Sequence, residues 1–120
     1  EGATALHQKA QELSAFCNGW AITALFYAAV HYVRSYLVVR HQRHVEAHEA
    51  MRQVWREFPE MQRIRSEYEL LKKESEQFRY YLVQFSTDDF KKLQTKLDKI
   101  KTVLEPRISA LHLEKMSQVS

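Results

Sequence analysis

Residues 20–40 read WAITALFYAAVHYVRSYLVVR, and this stretch decides the fold. Its apolar residues Ile22, Leu25, Phe26, Ala29, Val30, Val33 and Leu37 recur at three- and four-residue spacing, and together they cover nearly every side of a helix. A helix that is apolar all round is a buried one. The pattern therefore predicts a central core helix from Trp20 to Arg40, roughly 30 Å long at about 1.5 Å per residue. A bilayer span has a similar length, but His31, Arg34 and three tyrosines suit hydrocarbon poorly. The expectation is a soluble core helix with no membrane partner.

Working outward, Leu6, Ala10, Leu13 and Cys17 keep the helical spacing and predict a first helix over Ala3–Cys17, with Asn18-Gly19 as the turn that ends it. Between Arg40 and Glu46 the apolar pattern stops, which predicts an exposed polar connection able to present side chains. Met51, Val54 and Trp55 mark the inner face of a short helix ending near Pro59. Met61, Ile64, Tyr68, Leu71, Phe78, Leu82 and Phe85 form one stripe and predict a helix over about Glu60–Phe85. Ser86 and Thr87, followed by Asp88 and Asp89, make a good helix start. Phe90, Leu93, Leu97, Ile100 and Leu104 carry the last helix, which Pro106 should kink or end. Beyond it, Ile108, Leu111 and Met116 form a separate strip that caps the bundle or packs on a second subunit.

Composition points the same way. The 120 residues suit one domain over 1–120, and 45% apolar with 28% charged residues argues against disorder. Only two glycines and two prolines are present, too few for a fold of hairpins and long loops. The expected class is all-α, an up-and-down bundle of four to five helices.

The net charge of +3 is mild, but its chemistry is uneven: every cation from Arg34 to Arg65 is arginine, whereas most from Lys72 onward are lysine. Arginine's planar fork binds phosphate bidentately, so the arginine block is the better anion-binding candidate; a solvated helix face is the other reading. Cys17, alone and among apolar neighbours, is expected to be a buried, unreactive thiol. A lone cysteine and the lack of a leader-like pattern in Glu1–Lys9 lead to the expectation of a cytoplasmic protein.

Gly-rich phosphate loops, Gly-x-Ser-x-Gly elbows and Cys-x-x-Cys pairs are absent. His41, His44 and His48 fall within eight residues, but no cysteine or well-placed acid completes a tetrahedral zinc set, so neither metal nor cofactor is expected. His31, inside the apolar helix, reads as a hydrogen-bonded core histidine. The sharpest local pattern is Arg43-His44-Val45-Glu46-Ala47-His48. A histidine near neutral pKa can take the proton from an RNA 2′-hydroxyl or give one to the leaving oxygen, and an arginine can stabilise the charge developing on the phosphate. Arg43, His44 and His48 are thus candidate catalytic residues for metal-independent RNA cleavage; a solvated loop with helix-capping roles is the alternative. A small-ligand pocket near His31, His48, Arg79 and Tyr80 is a third possibility.

Three stretches, Trp20 to His31, Glu46-Ala47-His48 and Phe78-Arg79-Tyr80, precede the acidic helix start at Ser86-Thr87-Asp88-Asp89 and a long closing helix. Over about residues 20–105 this arrangement resembles the HEPN superfamily of helical domains. The resemblance implies an up-and-down bundle that forms a homodimer, often encoded beside a minimal nucleotidyltransferase. Many members are ribonucleases with an arginine followed four to six residues later by histidine, a spacing that Arg43 and His48 satisfy. In toxin-type members that motif lies later in the chain, where this sequence offers Arg79-Tyr80-Tyr81. The implied function is an RNA- or nucleotide-binding dimer, with ribonuclease activity of a toxin–antitoxin or defence system as its enzymatic form. The alternative is a non-enzymatic protein-interaction module that partners a nucleotidyltransferase or another protein.

Overall fold

The computed structural model describes residues 2–45 and 51–119. Helix α1 spans Gly2–His41, α2 Met51–Glu57, a 3-10 segment Pro59–Ile64, α3 Arg65–Tyr81 and α4 Thr87–Val119. The chain is an all-α, up-and-down bundle, 69 × 28 × 20 Å, with no strand among the described residues. Helix α3 runs antiparallel to α1: Phe26 meets Tyr68 and Trp20 meets Phe78, with ring centroids 5.7 and 5.3 Å apart. Helix α4 returns parallel to α1, linked by an Asn18 Nδ2 bond to the Phe85 carbonyl at 3.2 Å and a Tyr32 hydroxyl bond to Glu105 at 3.3 Å.

Asn18-Gly19 is not a turn; α1 passes straight through it. Glycine costs about 1 kcal/mol inside a helix, but here it makes room for a neighbour. A Cβ on Gly19 would lie 2.0 Å from Phe78 Cδ1, so only a bare backbone lets the Phe78 ring sit against α1. The terminators of α1 and α3 are Gln42 and Leu82, left-handed residues with φ of 55° and 51°. Their N–H groups donate to the Val38 and Phe78 carbonyls at 3.1 and 2.9 Å. Neither is the glycine or asparagine that usually marks such a cap, so the boundaries fall where no sequence signal announces them.

The core joins Ile22, Phe26, Ala29, Val33 and Leu37 of α1 to Met61, Ile64, Tyr68, Leu71 and Phe78, and to Leu93, Ile100 and Leu104 of α4. Val54 and Trp55 close one end, as the short-helix pattern predicts. Burial pushes the Tyr68 phenol up to about 12. Several expectations need correction. Only one side of α1 is buried, for Trp20 and Tyr27 are half exposed, and Cys17 and Leu82 are exposed as well. The helix predicted over Glu60–Phe85 starts as a 3-10 segment and stops at Tyr81. Pro106 does not end α4, which runs on to Val119. Pro106 is exposed, so water can reach the carbonyl it leaves without a donor, and Arg107 Nη1 donates to the Val103 carbonyl at 2.6 Å in the same turn. Past the proline, Ile108 packs on the core while Leu113 and Met116 are exposed.

The helix start at Ser86 forms as its sequence predicts. Ser86 Oγ accepts from the Asp89 N–H at 3.1 Å and Asp89 Oδ2 from the Ser86 N–H at 2.9 Å, a reciprocal box. The Ser86 backbone and hydroxyl bonds hold the Asp89 carboxyl below its usual range. Glu67 is buried and accepts from Lys99 and Ser66. Burial pushes its pKa up, but the Lys99 and Ser66 bonds, the backbone bond and the Lys99 charge together hold it below 4.5. Both carboxyls are depressed in the folded state. The stability they contribute is therefore present above the unfolded carboxylate pKa and is lost as pH falls through the lower folded value. The melting temperature should fall on acidification below about pH 4.5, and Lys99→Met should flatten that fall while lowering stability at pH 7 by about 1 kcal/mol, a modest loss because Lys99 is half exposed. Melts of both proteins between pH 3 and 7 check this; parallel pH curves would count against the pairing.

Candidate anion-binding end

Helix α1 ends in a polar cluster assembled from three elements. His41 stacks on Phe58 with centroids 4.0 Å apart, and its Nε2 lies 2.6 Å from Glu60 Oε1. Tyr36 donates its hydroxyl to the same Glu60 oxygen at 3.4 Å. Arg43 Nη1 donates to Glu57 Oε1 at 2.9 Å. Burial pushes the Glu60 carboxyl up, but the His41 bond, its own backbone bond, the His41 charge and the Tyr36 bond outweigh it, and the pKa is lowered. Burial, then the Glu60 charge and hydrogen bond, raise the Tyr36 phenol. These contacts fasten the end of α1 to α2 and the 3-10 segment.

Around this cluster lies the arginine block. Seven arginines and four glutamates between positions 34 and 65 account for the whole net charge of +3; the rest of the chain carries eleven cations and eleven carboxylates. Arg34, Arg40, Arg52, Arg56, Arg63 and Arg65 are exposed. Two of the four carboxylates, Glu57 and Glu60, already bind Arg43 and His41. The end of the bundle is therefore electropositive and presents guanidinium groups suited to phosphate oxygens.

Of the residues expected to catalyse, Arg43 is half-buried and bonded to Glu57, His44 is exposed, and His48 lies outside the described residues. His31 is exposed on the side of α1 away from the bundle, which corrects its reading as a core histidine. It falls on the face opposite the Phe26–Ala29–Val33 stripe. Arg79 and Tyr80 do come together. The Arg79 guanidinium lies 5.3 Å from the Tyr80 ring centre and 5.8 Å from that of Tyr27, and it donates to the Ser75 carbonyl at 3.3 Å and the Ser75 hydroxyl at 3.2 Å. Tyr27 completes this group and was missed, because its partners are more than fifty residues away in the chain. Among the described residues no hydrogen bond or ring contact joins His31 to Arg79 or Tyr80. Tyr27 and Arg43 are sixteen positions apart along and just past α1, roughly 20 Å, so the expected catalytic and ligand-binding residues form two places rather than one.

Glu57, Glu60 and Tyr36 also went unforeseen. They are ordinary residues in sequence and matter only through partners fourteen to twenty-four positions away. Away from this end, an open groove of about 570 Å³ between α3 and α4 is lined by Leu70, Val83, Phe85 and Leu93 among others. Among the described residues no group of three or more His, Cys, Asp or Glu could hold a metal ion. Helix α1 is long and apolar enough over Glu12–His41 to cross a membrane by length and composition alone, while its inner face packs on α3 and α4. Compared with protein-family models, with curated proteins and with solved structures, the chain finds no match in any of the three.

Proposed function

We propose that this chain is a HEPN-like RNA-binding protein that engages the phosphate backbone through the arginine-rich end of its bundle. The observation that carries the reading is the concentration of the entire net charge in residues 34–65, with six of its seven arginines exposed. Arginine rather than lysine at every cationic position of residues 34–65 favours bidentate phosphate contacts over a merely solvated face. Metal-independent cleavage is the enzymatic form of this proposal, with Arg43 at the phosphate and His48 and His44 as proton carriers. Phosphate binding at Arg43 would compete with Glu57. A second reading, a protein-interaction module, is favoured by the large apolar side chains exposed on α1.

Fluorescence anisotropy with a mixed-sequence single-stranded RNA, and DNA of the same length as a control, tests binding. Affinity should fall steeply with salt, and Arg52→Ala with Arg56→Ala should reduce the slope of log K against log salt by about 1.4, roughly 0.7 per lost phosphate contact. Equal weak binding by wild type and double variant would remove the proposal. The same RNA pool in excess EDTA, with Arg43→Ala and His48→Ala, tests cleavage. A loss of at least roughly a hundredfold in each variant is expected of acid–base catalysis.

A further inference from the structure

Helix α1 has an open side. Leu13, Phe16, Trp20, Ala24 and Tyr27 follow one another at spacings of three, four, four and three, away from the buried Phe26–Ala29–Val33 stripe. Lys9 precedes this band on the same side and His31 and Arg34 follow it, all three exposed. Leu13, Phe16, Trp20 and Tyr27 are 50 to 64% exposed. At about 150–250 Å² for an aromatic side chain, the four present about 400 Å² of apolar surface to water, a patch large enough to mark an interaction site. The charge around the band has one sign. No Asp or Glu occurs from Leu13 to Val45 or from Gln77 to Thr87, and these two stretches meet where Phe78 packs between Phe16 and Trp20. Arg34, Arg40, Arg43 and Arg79 stand within them. Arg79 borders the band: its guanidinium lies over Tyr27 and Tyr80 and bonds to Ser75, and among the described residues no carboxylate pairs with it.

We propose that α1 docks lengthwise, by this open side, on the surface of an anionic lipid bilayer. A band of leucine and aromatic rings bracketed by cations is the pattern of a helix that lies in the plane of the interface, sunk about 5–10 Å into it. Trp20 and Tyr27 each carry a polar atom on a large ring and so favour the headgroup boundary. Lys9 and Arg34, one at each end of the band, can hold their charges among the phosphates while their stems lie along it. The Arg79 fork suits a lipid phosphate. His31, Arg34 and the tyrosines, which suit hydrocarbon poorly, suit this layer well. Charge complementarity selects the occupant: a side with cations and no carboxylate is drawn to anionic headgroups. A second copy would bring the same cations and no carboxylate, so like charge would meet like in either orientation. Crossing the bilayer is a different matter. The other side of α1 packs on α3 and α4, which expose Lys73, Lys91, Lys92 and Lys96, so a span would carry those charges into hydrocarbon or dismantle the core. Docking by one ridge leaves α3 and α4 in water. The inference stands apart from RNA binding, which uses the α2 end of the bundle.

Flotation of the full chain with phosphatidylcholine–phosphatidylglycerol vesicles, beside vesicles of phosphatidylcholine alone, tests it. Binding should be stronger to the anionic vesicles and should fall as salt is raised. Leu13→Glu with Ala24→Glu should weaken it by at least roughly tenfold, because both carboxylates would have to leave water. Both positions are exposed, so an unchanged circular dichroism spectrum is expected of the variant. Trp20 is half exposed and Trp55 buried, so tryptophan emission reports the docking of Trp20. On anionic vesicles it should shift to shorter wavelength, and lipids brominated near the headgroup should quench it more than lipids brominated near the chain ends. No binding to the anionic vesicles, equal binding to the neutral ones, or binding indifferent to the two glutamates would each overturn the proposal. Stronger quenching from the chain ends would overturn it in favour of a crossing helix. A chain that sediments with twice the monomer mass, is split by the two glutamates and is left intact by vesicles would overturn it in favour of a second copy.

Discussion

Phe26→Ala should destabilise the chain by about 3–5 kcal/mol, the range for truncating a fully buried phenylalanine. Phe26 has no exposed surface, packs edge-on to Tyr68 with centroids 5.7 Å apart, and carries the Arg79 guanidinium 5.9 Å from its ring. Tyr68 in turn meets Trp55 at 5.5 Å, so the ring is the link between α1 and the α2–α3 end of the bundle. Small domains hold together by only about 5–15 kcal/mol, and a loss of this size consumes much of it. Urea unfolding, with an unchanged slope, would read the loss directly. Tyr27→Ala, one residue along and half exposed, should cost less than about 1–2 kcal/mol. Equal losses at the two positions would contradict a helix with one buried and one open face.

Gly19→Val should cost about 3 kcal/mol or more. Its Cβ alone would stand 2.0 Å from Phe78 Cδ1 and 2.6 Å from Cγ, so the whole ring must move and not merely its tip. Phe78 cannot move freely, because it is buried and set between Phe16 and Trp20 at centroid distances of 5.7 and 5.3 Å. Overpacking of this kind costs about 1–3 kcal/mol for a few methylenes, and valine adds the poorer helix propensity of a branched side chain. Gly19→Ala gives the cleaner sign. In an open helix the change would stabilise by about 1 kcal/mol, whereas at this crossing the clash should outweigh that gain and the variant should melt lower than wild type. A higher melting temperature for Gly19→Ala would mean that α1 and α3 do not approach closely at residue 19.

Much of the architecture was legible in the chain. The three- and four-residue spacing of Met51, Val54 and Trp55, of Met61, Ile64, Tyr68 and Leu71, and of Leu93, Ile100 and Leu104 predicted buried faces that are buried. Ser86 with Asp89 three residues on predicted a helix start that forms with both reciprocal bonds. These readings succeed because they rest on local geometry, the period of the helix and the reach of a capping side chain. The candidate site was legible only in its charge. Seven arginines in residues 34–65 are visible as composition, but the cluster of Tyr36, His41, Glu60, Arg43 and Glu57 depends on α1 ending where the 3-10 segment passes.

By itself, then, the sequence determined an all-helical bundle, its buried stripes and the uneven placement of its charge, since each follows from neighbours within a turn or two. The tertiary structure alone decided that Gly19 lies inside a helix, that Gln42 and Leu82 end α1 and α3, and that one apolar side of α1 stays open. A glycine reads as a turn until a Phe78 ring from fifty-nine residues away occupies the space its missing Cβ leaves. An all-apolar helix reads as fully buried until the number of partners is known. Here α3 and α4 cover one side of α1, and periodicity has no means of counting the helices that remain to cover the other.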